Sequence, residues 1–276
     1  MAAESIREKR NKIQDISYLV KTIILPIVAM GVLAFVLSSK VDFVNSIVLY
    51  FMKINIGEIG LLSERVIKTG VIFIILWIIF HRMMKKRNRT FADNIRGDYC
   101  IIFYRLASAL GYEKVSMVHK SIPLQFKLLN SRVFKKYDLK EERIKHFDNG
   151  EIEYCKTIRK GDVKAINILI PDTYEIRYDM LPDEADENET VMLKVEKKSV
   201  GAKRFHSDLL IDELNAVLKE YQSTTEYNLF LFTNPVTNKK IYENVFNTKT
   251  DNYTLRIYFF DNNNKRFSSR YKIVHV

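Results

Sequence analysis

Two uncharged apolar runs, Thr22–Leu37 (TIILPIVAMGVLAFVL) and Thr69–Phe80 (TGVIFIILWIIF), constrain this chain more than any other feature. Each is shorter than the roughly 20 residues that a helix needs to cross a hydrocarbon core, so each must borrow from its flanks. Extending the second backward takes in Lys68, Ile67 and Val66. The first run starts late for a signal peptide, and the following SSKVD lacks a small-residue cleavage pattern. The reading is therefore a membrane hairpin of two transmembrane helices, with spans at 18–38 and 64–84 inside a region 1–90.

The placement of charge orients that hairpin. Of the 44 Lys and Arg residues, 14 lie in residues 1–90 against 6 Asp and Glu. Residues 91–276 hold 30 against 27, so the formal charge of +11 belongs mostly to the membrane flanks. Arg7, Lys9, Arg10, Lys12 and Lys21 precede the first span, and Arg82, Lys85, Lys86, Arg87 and Arg89 follow the second. In the stretch between, Lys40, Lys53 and Arg65 are balanced by Asp42, Glu58 and Glu64. Positive flanks stay in the cytoplasm, which places both termini there. The connector over 43–62 is too apolar for a free loop. It reads as an interfacial helix, with re-entrant and pore-lining placements as alternatives. Lys68 stands at the outer end of the second span, where it either snorkels or joins Thr69 and Trp77 at a pore.

Residues 91–276 read as a cytosolic α+β, β-rich domain. The 3–4 residue spacing in 92–110 predicts a helix continuous with the second span, stopped by Gly111. Period-two alternation predicts strands at Leu124–Leu128, Ile152–Ile158, Ala165–Ile170, Val191–Val195, Tyr227–Phe232, Thr254–Phe259 and Tyr271–Val276. Asp261-Asn-Asn-Asn-Lys265 predicts a hairpin turn, and Ser207 an N-cap for an amphipathic helix through Tyr221. A small barrel or sandwich accommodates such strands. Cys100 and Cys155 read as two reduced core thiols.

Three basic clusters carry interleaved aromatics: Arg132/Lys135/Lys136, Arg159/Lys160/Lys164 and Lys197/Lys198/Lys203/Arg204. Such groups grip phosphates while aromatic rings stack on bases, so Arg132, Lys135, Lys136, Arg159, Lys160, Lys203 and Arg204 are the candidate ligand-binding residues. A solvated face, partly neutralised by the nine acids between Asp172 and Glu196, is the competing reading; a third is contact of membrane-proximal clusters with anionic headgroups. For catalysis, Pro171-Asp172 followed by Glu196-Lys197-Lys198 resembles the PD…(D/E)xK arrangement of restriction-type nucleases, where two carboxylates hold Mg²⁺. The five histidines show no metal-ligand spacing, and no Walker loop, GxGxxG or GxSxG occurs. The expectation is a non-enzymatic protein without cofactor or metal.

The stretch FYRLASALGYEKVSMVHKSIPLQFKLL (103–129), set just past two short spans, looks like a membrane-proximal module, and the architecture as a whole resembles bacterial two-span anti-phage membrane effectors. These include Hailong-type channel effectors and cyclic-nucleotide-gated two-span effectors. KAINILIPDTYEIRY (164–178) and DLLIDELNAVLKEY (208–221) are similar to a STING-like strand and helix. The resemblance implies a homo-oligomeric channel or permeabilising effector in anti-phage defence. Its cytosolic domain would bind a nucleotide or single-stranded oligonucleotide made by a partner nucleotidyltransferase. The alternatives are a membrane-tethered scaffold and a membrane-tethered nuclease.

Overall fold

A computed structural model describes residues 13–39, 61–93, 95, 97–146, 152–198, 205–249 and 252–275. The chain forms two compact units: Met1–Ser116 with Val133–Tyr137, and Met117–Arg132 with Asp138–Val276. The connector between the apolar runs and the N-terminal arm lie outside the described residues.

The first unit contains two helices long and apolar enough to cross a membrane, α1 (Ile13–Ser38) and α2 (Leu61–Arg87). Pro26 sits in α1 just after a π-helical turn over Val20–Ile24, which accommodates the missing N–H donor. Where the helices meet, Ala34 and Ile72 are buried, with Leu37, Ile67, Val71, Phe73 and Leu76 packed around them. Their other faces expose Val32, Phe35, Ile74, Ile75, Ile78 and Ile79, an apolar surface that water does not favour.

The chain leaving α2 does not continue as a helix. Asn88 and Ala92 adopt positive φ, and β1 (Thr90–Phe91) joins a small sheet instead. α3 (Ile101–Ala109) follows, then β2 (Lys114–Ser116), which pairs in parallel with β1. In place of the expected single helix over 92–110, β1 is followed by the nine-residue helix Ile101–Ala109. The cause is Phe91: its ring lies fully buried among Tyr18, Tyr99, Tyr104, Tyr112 and Phe134, contacts a continuing helix would not make. The Tyr18 hydroxyl also accepts the Ala92 N–H at 2.9 Å. Cys100 precedes α3 and is exposed rather than in a core, while Cys155 is half-buried, and both are free thiols.

In the second unit, α4 (Ile122–Ser131) replaces the strand expected at Leu124–Leu128. Ser121 caps it by accepting the Leu124 N–H, and Pro123 sits in its first turn, where a missing donor costs nothing. Two short strands, β3 (Lys136–Asp138) beside β2 and β4 (Lys145–His146), lead to the main sheet. That sheet comprises β5 (Ile152–Arg159), β6 (Asp162–Ile170), β7 (Asn188–Lys198), β9 (Glu226–Leu231), β10 (Tyr253–Asp261) and β11 (Arg266–His275), in the spatial order β11-β10-β9-β6-β7-β5. The four central strands are parallel, and β5 and β11 are antiparallel edges. The domain is β-rich as expected, but it is an open, helix-covered sheet and not a barrel or sandwich. The Asp261–Lys265 turn does join β10 to β11, with Asp261 accepting from Asn263 N and Asn264 Nδ2.

Parallel strands require crossovers, and these cover both faces. Between β6 and β7 the chain passes through α5 (Asp183–Asp186) and packs Ile176, Leu181 and Ala185 on Leu169, Phe230, Tyr258 and Phe267. Ile166, Ile168 and Ile170, whose side chains point to the other face, are buried as well. The later crossovers carry β8 (Phe205–His206) with α6 (Leu209–Glu220), then α7 (Pro235–Ile241), which runs into a π-helical turn over Tyr242–Phe246. α6 starts one residue later than expected, with Asp208 at its N-cap, and Ser207 Oγ accepts the Leu209 N–H.

Candidate ligand site at the carboxyl edge of the sheet

The order of the parallel strands defines where a ligand fits. From β6 the chain moves outward to β7, then returns past β6 to β9 and continues to β10. The winding therefore reverses between β6 and β9. At such a point the connections diverge to opposite faces and leave a crevice outside the carboxyl ends of the strands.

At this edge Thr173 N donates to Phe232 O at 2.8 Å and Phe232 N to Ile170 O at 3.0 Å, holding the two strand exits together. Beyond them, Asn234 caps α7 by accepting the Val236 and Thr237 N–H groups and donates to Phe205 O. The Thr233 hydroxyl donates to Asn238 Oδ1. The Tyr174 ring is exposed and meets Phe232 edge-on, at 5.7 Å between centroids. On the β7 side, Phe205 packs against Tyr154 and Val195. The Tyr154 hydroxyl donates to Asp172 Oδ1 at 3.4 Å. Burial first, then the Asp172 carboxylate, pushes that phenol far above its ordinary pKa, so it remains a donor at any physiological pH. Lys240 reaches across to Asp208 at 2.7 Å and His206 Nδ1 at 3.4 Å.

The sequence-derived cations are not gathered at one place. Arg159 and Lys160 lie at the amino edge of the parallel strands, the end away from this crevice. Arg159 donates to Asp186 Oδ1 at 2.9 Å and stands 4.6 Å from the Tyr178 ring, while Lys160 pairs with Glu189 at 3.3 Å. Glu189 is buried, and the Tyr221 hydroxyl, then Lys160, hold its carboxyl below the ordinary range. Arg132 ends α4 in the left-handed region and donates to Asn247 Oδ1 at 3.1 Å. Lys135 and Lys136 belong to the other unit, with Lys135 3.6 Å from Glu113. Lys203 and Arg204 lie outside the described residues. In the chain they stand between Lys198, at the carboxyl end of β7, and Phe205, whose backbone carbonyl Asn234 holds at the crevice.

Asp172 lies two residues past the end of β6, whereas Glu196 lies within β7, four residues past Met192, which pairs with Leu169 in parallel register. Among the described residues no group of three or more His, Cys, Asp and Glu could hold a metal ion. In the first unit, Lys68 is half-buried, the Thr69 hydroxyl bonds to Arg65 O at 2.8 Å, and Trp77 lies 6.0 Å from the Phe73 ring. Sequence reasoning passed over Thr233, Asn234 and Tyr174. The signal for them was Thr-Asn-Pro directly after an apolar run, which marks a strand exit turning into a capped helix.

Two helices long and apolar enough to cross a membrane thus precede an α/β unit whose winding reverses between β6 and β9. Residues 6–274 match the SMODS- and Ubiquitin system-associated 2TM effector domain (SUa-2TM), and the chain belongs to that family. The resemblance to two-span effectors is thereby met. No curated protein matches the sequence. Among solved structures, the chain is similar to the Acinetobacter baumannii Cap4 SAVED/CARF-domain containing receptor with the cyclic trinucleotide 3'3'3'-cAAA. The identity is 9% and the TM-score 0.42, over 67% of this chain and 48% of that one. The same receptor with 2'3'3'-cAAA gives 8% and 0.42, over 65% and 46%. The chain spans about half the length of these receptors.

Proposed function

We propose that this protein is a homo-oligomeric membrane effector of anti-phage defence, and that a nucleotide or short oligonucleotide at the carboxyl edge of its sheet gates permeabilisation by the α1–α2 hairpin. The observation that carries the reading is the β6/β9 winding reversal, the place where such sheets take ligands, in a chain of the two-span effector family. Lys194, Lys197 and Lys198 in the carboxyl half of β7, with Lys203 and Arg204 after it in the chain, supply phosphate-binding charge, and the exposed Tyr174 supplies a stacking face. Two helices cannot enclose a pore, so conduction requires several subunits. The nucleotide acts by binding the open and closed arrangements unequally, and no bond is made or broken. A partner nucleotidyltransferase is the source of such a signal, and the bacterial inner membrane, with both termini cytoplasmic, is the setting.

The test is membrane potential, read with a voltage-sensitive dye in bacteria expressing the full chain, with and without phage infection. Depolarisation that Lys203→Glu/Arg204→Glu abolishes supports the reading. An unchanged potential in both conditions, with the protein present in the membrane fraction, refutes gating and leaves a tethered scaffold. A nuclease is the second reading, favoured by the pairing of β6, which leads to Asp172, with β7, which contains Glu196. Asp172→Ala and Glu196→Ala abolish toxicity under that reading and spare depolarisation under the first.

A further inference from the structure

Chain order and compactness part company at α4. Met117–Arg132 belongs to the sheet unit, while the chain on either side of it, through Ser116 and from Val133, belongs to the unit of the hairpin. Both ends of α4 are therefore covalently continuous, within a few residues, with β2 and β3 of the small sheet. Within its own unit α4 is fastened to the segment that leaves β9. Asn238 Nδ2 donates to Gln125 Oε1 at 2.9 Å, and Gln125 Nε2 donates to Lys120 O at 2.8 Å. The Tyr242 hydroxyl donates to Asn130 Oδ1 at 2.9 Å, and its ring meets Phe126 edge-on.

Gln125 and Asn238 are buried, and the chain of bonds Thr233–Asn238–Gln125–Lys120 has one polarity, each amide donating onward. A buried network of this kind tolerates little displacement, since a shift at one end orphans groups along its length. Thr233 stands at the mouth of the crevice. α7 then runs into the π-helical turn, closed by Asn247 N to Tyr242 O at 2.7 Å; such turns carry a surplus residue that a helix can redistribute.

We infer that Gln125 and Asn238 are positioning residues that couple the carboxyl edge to α4, and through its two covalent ends to the small sheet that follows α2. This rests on the ligand-gated reading and names the residues that transmit its signal. The physical requirement is an element that both sites bias, and α7 with its π turn is that element.

The experiment is amide hydrogen exchange on the full chain in detergent, arranged as a mutant cycle. Thr233→Val removes the first hydroxyl of the network without changing its shape. In the wild-type background it is expected to speed exchange at Val115 and Lys136 about tenfold, the effect of freeing one buried hydrogen-bonding group. In the Gln125→Leu/Asn238→Leu background, where both amides are replaced by apolar side chains of similar volume, the same change is expected to leave Val115 and Lys136 unaltered. Lys239→Ala, which removes a half-exposed ion pair between α7 and the π turn outside the buried amide network, is expected to leave them unaltered in either background. Effects of Thr233→Val confined to residues 233–247, equal in both backgrounds, or matched by Lys239→Ala overturn the inference. The cycle needs no conduction. A silent dye assay with an intact cycle removes the gating reading and leaves the coupling, and the converse removes the coupling alone.

Discussion

Gly111 offers a quantitative trial of how the first unit is held together. It sits after α3 at φ +101°, and a Cβ built there would lie 2.5 Å from the His81 carbonyl oxygen and 3.1 Å from its Cα. Both are backbone atoms of α2, held by that helix's own hydrogen bonds, so neither can swing aside as a side chain would. The contact is reinforced on both sides: His81 Nδ1 lies 3.0 Å from Ala109 O, and Lys85 pairs with Glu113 at 3.3 Å. Gly111→Ala thus combines a positive-φ penalty of about 1–2 kcal/mol with an overpacking cost of about 1–3 kcal/mol, together roughly 2–5 kcal/mol. For a chain of this size that lowers the melting temperature by roughly 5–15 °C. Gly31 and Gly70 provide the contrast, since a Cβ there meets nothing within 4 Å. Gly31→Ala and Gly70→Ala replace helical glycines and are expected to be neutral or to stabilise by up to about 1 kcal/mol. Thermal unfolding of the full chain in detergent measures all three. If Gly111→Ala melts within about 2 °C of the wild type, or all three variants shift alike, the close approach of α3's end to α2 is wrong.

Other outcomes follow from the second unit. Phe230 is fully buried, stacked on Tyr258 at 4.5 Å and edge-on to Phe267, so Phe230→Ala is expected to cost about 3–5 kcal/mol in urea unfolding. Arg256 donates to Glu226 at 2.6 Å and holds its carboxyl below the ordinary range. A depressed carboxyl stabilises the fold above its unfolded pKa of about 4.3 and loses that contribution as pH falls through the folded value. The wild-type advantage over Arg256→Met in urea midpoint should therefore be full at neutral pH and shrink below about pH 4. Lys203→Glu/Arg204→Glu is expected to weaken binding of cyclic di- and trinucleotides to the purified chain at least tenfold, the scale of losing two phosphate contacts. Arg159→Glu/Lys160→Glu, at the opposite edge, is expected to leave that binding unchanged in equilibrium titration.

Which parts of this architecture were readable from local pattern, and which were not, follows from the range of the forces involved. The apolar runs and their basic flanks depend on composition alone, and α1 and α2 form where they predict. Strands β5, β6, β7, β9, β10 and β11 were visible because side chains alternate across any ladder. Alternation says nothing about which strand lies beside which, so the parallel order and its winding reversal came only with the fold. That is why the crevice at Thr233, Asn234 and Tyr174 was missed, and why the cations were grouped by sequence proximity. Arg159 and Lys160 proved to lie at the far edge, bonded to Asp186 and Glu189. Leu124–Leu128 misled because a short apolar run fits either period, and the Ser121 cap and Pro123 decide it only once a helix has somewhere to pack. The break after α2 was decided by one ring: burying Phe91 among five aromatics outweighs the hydrogen bonds of a longer helix. Sequence determined that this chain has an apolar hairpin and a β-rich domain, since each residue carries its own transfer free energy and strand preference. Tertiary structure decided the strand order, because the winding reversal between β6 and β9 exists only after long-range pairing sets residues 61 positions apart, such as Ile166 and Tyr227, side by side.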